Sequence, residues 1–90
     1  MMPAGMQSQA FREHLRSSLS LTARQIEIAL LLAQGMRFKA VAHRLGCETS
    51  TITSHMADAN KRAKVHGRSA LICRLYQAYI EFAGVGERAA

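Results

Sequence analysis

Apolar residues recur at helical spacing along most of the chain, with polar residues between them. The sharpest pattern runs from Thr49 to Lys64. There Ile52, Met56, Ala59 and Ala63 form one apolar stripe, and Ser50, Thr53, Ser54, Ala57 and Lys61 form the stripe opposite. Residues three and four apart share a helix face, so the first stripe is the core side and the second faces outward. Upstream, Thr22 opens another helix, with Gln25 completing a capping box. Ile26, Ala29, Leu30 and Ala33 line one side of it. Ile28, Leu31 and Leu32 widen the apolar arc, as in a central helix touched from several directions. Gly35 is its natural stop. A short helix, Phe38 to Leu45, turns Val41, Ala42 and Leu45 inward and ends at Gly46. No Ser, Thr, Asp or Asn precedes Phe38, so the first N–H groups of this helix are left to water or to a phosphate, with Lys39 beside them.

The ends carry weaker patterns. Residues 1–5 are expected to fray. Gln7 to Ser17 makes a short helix with a thin stripe of Phe11 and Leu15, which either docks on the rest of the domain or contacts a partner. The last helix, Arg68 to Ala83, has two stripes: Leu71, Leu75, Ala78 and Phe82, and beside them Ile72, Tyr76, Tyr79 and Ala83. A peripheral helix needs only one stripe for its own core. The second, with two tyrosines, is expected to be a partner surface unless the N-terminal helix covers it. Gly84 should end this helix, leaving 85–90 as a loose tail. No alternating Val/Ile/Thr run is long enough for a strand. The expected architecture is all-α: a small helical bundle with an N-terminal extension over 1–18, the main domain over 19–84 and the tail.

Within that domain, Phe38–Leu45, the turn Gly46-Cys47-Glu48, and Thr49–Lys64 read as a helix-turn-helix unit, whose second helix can enter a DNA major groove. A short, hydroxyl-rich face ending in a lysine suits close approach to base edges; an ordinary solvated face looks the same. Charge separates the two readings. The chain has 12 Lys+Arg against 6 Asp+Glu, net +6. Between 37 and 68 stand Arg37, Lys39, Arg44, Lys61, Arg62, Lys64 and Arg68 against Glu48 and Asp58, seven minus two, net +5. Clustered cations suit a polyanion, because each neutralised phosphate releases counterions. A membrane surface would need bulky apolar residues opposite those cations, and this helix has mainly alanines there.

Other chemistries fit less well. Ninety residues make one small domain. The longest apolar run, Ile28 to Ala33, is too short to span a bilayer. No charged-then-apolar leader opens the chain, and two cysteines, Cys47 and Cys73, form no disulfide framework, so a reducing cytoplasm is expected. His43 and Cys47 have no carboxylate arranged behind them for nucleophilic catalysis, so no enzyme is expected. The spacing of His43, Cys47, His55 and Cys73 matches no familiar zinc finger, so neither metal nor cofactor is expected.

The ordered set Leu21-Thr22-Ala23-Arg24-Gln25-Ile26-Glu27-Ile28, Leu32-Ala33-Gln34-Gly35, Lys39-Ala40-Val41-Ala42, Leu45-Gly46, Thr51-Ile52-Thr53-Ser54-His55, and Lys61 through Val65 to Arg68 resembles the LuxR-type (GerE/FixJ-type) helix-turn-helix domain over about residues 19–83. The resemblance implies a four-helix DNA-binding domain of bacterial transcription regulators. Its third helix, here Thr49–Lys64, enters the major groove; its fourth, here Arg68–Ala83, commonly forms the dimer contact. By the same resemblance Lys39, Thr51 and Lys61 stand at phosphate or backbone contacts, and Thr53 and Ser54 at base-reading or adjacent positions. His55 and Arg68 match further motif positions.

The departures are specific. Gln25 replaces the usual first-helix Glu. Arg37, Phe38 and Ala40 replace the usual capping Ser, the polar residue after it and the Glu beyond the lysine. Glu48 replaces a capping Ser, which leaves Thr49 to cap, and Thr53 replaces a common basic residue. The expected function is a sequence-specific, stand-alone DNA-binding transcriptional regulator acting as a dimer on double-stranded DNA. Bases would meet Ser50, Thr53, Ser54 and Ala57. Phosphates would meet Arg37, Lys39, Thr51, Lys61, Arg62, Lys64 and Arg68. The homodimer would use Ile72, Tyr76, Tyr79 and Ala83. With no receiver or sensing domain before it, regulation is expected from its level, its ends or a protein partner. The rival reading is a protein-interaction module that dimerises with, or inhibits, a larger regulator.

Overall fold

Five α-helices follow one another in the computed structural model, which describes residues 2–89, and the side chains of 2–84: α1 (Gln9–Ser18), α2 (Ala23–Ala33), α3 (Phe38–Leu45), α4 (Thr49–Ala63) and α5 (Arg68–Ala89). Among the described residues there is no strand. Each start and stop has a local cause. Ser8 caps α1, its Oγ accepting the Phe11 N–H at 3.2 Å. The capping box of α2 is complete: Thr22 Oγ1 accepts from the Gln25 N–H at 3.1 Å, and Gln25 Oε1 accepts from the Thr22 N–H at 3.0 Å. After α2 the chain turns through Gly35 at φ 95°, with Gly35 N–H donating to Leu32 and Met36 N–H to Leu31. Gly46, at φ 69°, closes α3 with the same pair of bonds, to His43 and Ala42. A left-handed φ suits glycine because it has no Cβ to clash.

The helix α2 is central, touching all four others, and α3 and α4 pack closely against each other as the two-helix unit. Ile26, Ile28, Leu30 and Leu32 are buried around much of its circumference. The core stripe of α4, Ile52, Met56, Ala59 and Ala63, is buried in full. The larger of these side chains, such as Ile26, Leu30 and Ile52, contribute roughly 1.5–3 kcal/mol each relative to exposure.

Four boundaries differ from the pattern reading. Ala4 and Gly5, expected to fray, open a 3₁₀ turn, Ala4–Gln7, in which Met6 is fully buried, and the helix expected over Gln7 to Ser17 runs instead from Gln9 to Ser18. The turn is seated on α5, where a Cβ at Gly5 would collide with the Tyr79 hydroxyl. From there α1 lies on α2 and α5, with Phe11 and Leu15 fully buried. Gly84 does not end α5, which runs on to Ala89; a glycine stops a helix by taking a left-handed φ, and Gly84 does not take one. Residues 85–89 are therefore helix rather than loose tail, while Met1 and Ala90 lie outside the described residues. Thr49 is the first residue of α4 rather than its cap. Glu48 takes the cap position, extended at ψ 150°, without a side-chain bond. Lys64 lies just past α4 in a left-handed conformation, φ 59°.

Gln25, only 2% exposed, is the buried polar side chain among the described residues. While its Oε1 serves the cap of α2, its Nε2 donates to Asp58 Oδ2 on α4. Asp58 also accepts from Arg62 Nε at 2.7 Å, and Arg62 Nη1 donates to the Ser20 carbonyl at 3.0 Å. That carbonyl belongs to a residue in a left-handed turn, φ 59°. The network ties the entry of α2 to the outer half of α4. The Arg62 hydrogen bond, with that from Gln25, holds the Asp58 carboxyl below the usual carboxylate range. An amide suits position 25 because it must accept on one side and donate on the other; a carboxylate there would face Asp58. Gln25→Glu should therefore lower stability by about 1–3 kcal/mol at neutral pH, seen as a lower melting temperature, and adding Asp58→Asn should recover most of it. An unchanged melting temperature in the single variant would show that positions 25 and 58 do not meet.

Candidate nucleic-acid interface

Burying the apolar side of α4 leaves its other side in solvent. Ser50, Thr53, Ser54, Ala57 and Lys61 are all exposed, and Thr51 beside them is too. The stripe is free of bulky side chains, so a neighbouring surface can approach the helix closely. Thr53 Oγ1 donates to the Thr49 carbonyl at 3.2 Å, which spends its proton within the helix and turns its lone pairs outward. In this conformation Thr53 is an acceptor, suited to an amino group on a base edge.

Cations stand at the far end of this face and at the start of the helix before it. Arg37 and Lys39 are exposed at the start of α3, whose N-cap, Arg37, makes no side-chain hydrogen bond. The first N–H groups of α3, like those of α4, are thus without a side-chain cap and point their partial positive charge outward. At the far end of α4, Lys61 and Lys64 are exposed and line a shallow depression with Ala57, His66 and Gly67.

Two of the arginines expected at phosphates have internal partners. Arg62 spans Asp58 and the Ser20 carbonyl. Arg68 donates Nη2 to the Met36 carbonyl at 3.1 Å, and its guanidinium lies 5.9 Å from the centroid of the Phe38 ring. Arg68 therefore braces the entry of α3, and Phe38 serves as its platform. His66 was missed by the pattern reading, which treated its segment as a link; its place beside Lys61 and Lys64 depends on how the turn folds back.

The expected dimer face is divided. Tyr79 is covered from within: Phe11 meets it edge-on at 5.3 Å, and Gly5 abuts its hydroxyl. Phe11 and His14 also pack on Phe82, at 5.5 Å and 5.3 Å. Ile72, Tyr76 and Ala83 are half-buried, and Ile80, four residues beyond Tyr76, is 68% exposed. The outward stripe is thus Ile72, Tyr76, Ile80 and Ala83. Elsewhere, Cys47 is half-buried in the α3–α4 turn and Cys73 exposed on α5. Among the described residues no three His, Cys, Asp or Glu side chains converge as metal ligands, and no helix is long and apolar enough to cross a membrane.

Neither curated proteins nor solved structures gave a match to this chain. A family model did: that of the bacterial regulatory proteins, luxR family, matches residues 19–75. The matched span runs from the residues before α2 into α5 and contains the whole α3–α4 unit, including the exposed hydroxyl stripe and the cations around it. Its module is DNA-binding and regulatory rather than catalytic. With most of its length matched, the chain belongs to the luxR family of bacterial regulatory proteins, as a DNA-binding regulator with a helix-turn-helix.

Proposed function

We propose that this chain binds specific sequences of double-stranded DNA as a homodimer and regulates transcription. The observation that carries the reading is the exposed hydroxyl stripe of α4, with Lys61 and Lys64 at its far end and Arg37 and Lys39 at the start of α3, none of them meeting an acid among the described residues. Ser50, Thr53, Ser54 and Ala57 meet base edges in the major groove. Arg37, Lys39, Thr51, Lys61 and Lys64 hold phosphates on either side. Arg62 and Arg68 act as positioning residues, keeping α4 and the start of α3 at the angle the groove requires. Two copies, paired through Ile72, Tyr76, Ile80 and Ala83, set two α4 helices in successive grooves about 34 Å apart.

Lys64 supports this reading independently. Its left-handed backbone is uncomfortable for a residue with a Cβ, by roughly 1–2 kcal/mol, and the turn it makes is one glycine makes freely. A cation at a position suited to glycine fits a charge held for a partner.

Binding to short duplexes should fall steeply with salt, and Lys61→Ala should flatten the slope of log affinity against log salt by about 0.9. Thr53→Ala or Ser54→Ala should instead alter preference at one base pair, by ~1–3 kcal/mol, in a selection from random duplexes. No mobility shift with any duplex at low salt would falsify the DNA reading and favour a module that pairs with a larger regulator. Lys64→Gly should move two measurements in opposite directions: the melting temperature rises while DNA affinity drops. A gain in stability with full affinity would take Lys64 out of the contact. By light scattering the protein should be a dimer, and Tyr76→Arg with Ile80→Arg should give a folded monomer; a dimer that survives both changes pairs elsewhere.

A further inference from the structure

A second cluster of cations lies between α1 and α2, outside the interface described above. Arg12 and Arg16 from α1 and Arg24 from α2 line a cleft of about 360 Å³ with Gln9, Ala23 and Glu27. An adjoining depression shares Arg12 and Glu27 and continues to Arg44 at the end of α3. Four arginines therefore follow one track past the carboxylate of Glu27, with Glu13 at its edge, where it shares a further depression with Arg16 and accepts from Gln9. Glu27 is already paired with Arg24 at 2.7 Å. The ion pairs among the described residues are Arg24–Glu27 and Arg62–Asp58, so Arg12, Arg16 and Arg44 meet no acid. Arg12 is anchored through Nε to the Gln7 carbonyl at 3.4 Å, which leaves the rest of its guanidinium for another acceptor.

The track points away from the proposed DNA face. On α2, Gln25 turns toward α4 through Asp58. Arg24 and Glu27 are centred about 130° around the helix axis from Gln25. The other wall, α1, packs on α2 and α5. A duplex lying along α4 thus leaves this surface uncovered. Guanidinium forks match carboxylates in pairs, and a line of them suits an extended strand of acids rather than one small anion.

We infer that the α1–α2 arginine track is a docking surface for an acidic segment of a partner protein, usable while α4 is engaged elsewhere. A segment with several carboxylates lies along Arg16, Arg24, Arg12 and Arg44, and the arginines, rather than apolar burial, set its affinity. Such a contact links the regulator to another protein without competing for the α4 face.

The test uses the whole chain, labelled with ¹⁵N, and a peptide of glutamates as probe, with a glutamine peptide of equal length as control. The glutamate peptide should shift the Nε–H signals of Arg12, Arg16, Arg24 and Arg44 saturably at low salt. Arg16→Gln with Arg24→Gln should weaken its binding about tenfold, at unchanged helicity by circular dichroism. Lys61→Ala should leave peptide binding as it was, and the double arginine variant should bind duplex DNA like the parent chain. Shifts confined to Lys61, Lys64 and the start of α3, equal weakening by Lys61→Ala, or no saturable shift at these arginines would overturn the assignment. Because peptide and DNA are read separately, failure of DNA binding leaves this result standing.

Discussion

The contact between Gln25 and Asp58 governs how the outward face of α4 is presented. Apolar packing alone fixes which side of α4 is inside, since Ile52, Met56, Ala59 and Ala63 have nowhere else to go. It does not fix rotation closely, because alanines and a methionine tolerate small slips. A buried amide with both its polar ends engaged is far less tolerant, since a slip strands a donor or an acceptor away from water. The same amide completes the cap of α2, so the start of one helix and the roll of another are set by one side chain. Arg62 extends the arrangement to the Ser20 carbonyl and so fixes the strained turn that leads into α2.

Much of the fold was legible in the sequence, and the reasons are local. The helix α2 shows in its capping box, its wide apolar arc and Gly35; α4 shows in two clean stripes. Gly35 and Gly46 are true stops because the chain must turn left-handed at each. Gly84 carries the same letter without the same job, and nothing in the residues around it separates the cases. The N-terminal arm was faint for a different reason. Its hold on the domain comes from burying Met6, Phe11 and Leu15 in the common core, with Phe11 meeting Tyr79 and Phe82 some seventy positions later, and spacing within the arm cannot reveal so distant a partner.

The site divides along the same line. Exposure of Ser50, Thr53, Ser54, Ala57 and Lys61 follows from periodicity, because their helix buries its other side. The arginines do not follow from charge. Arg62 and Arg68 both find backbone carbonyls, of Ser20 and Met36, far away in sequence. A carbonyl has no residue type and leaves no mark in a composition or a motif. Counting cations thus locates the basic region but cannot sort those that face a partner from those that brace the frame. Phe38 is the one visible clue, an aromatic in a normally polar place, and it acquires meaning only once Arg68 is seen above it.

The seat of the 3₁₀ turn on Tyr79 has a consequence for how the chain tolerates change. A methyl group at position 5 would press on the Tyr79 hydroxyl, so either the Tyr79 ring or the leading turn would have to give way. Met6 and Phe11 would then lose part of their cover together, and a row of aromatic rings would meet water. Tightness at one backbone atom thereby keeps a hydrophobic seam closed, and a lesion at that point would show first as self-association and poor solubility rather than as altered recognition.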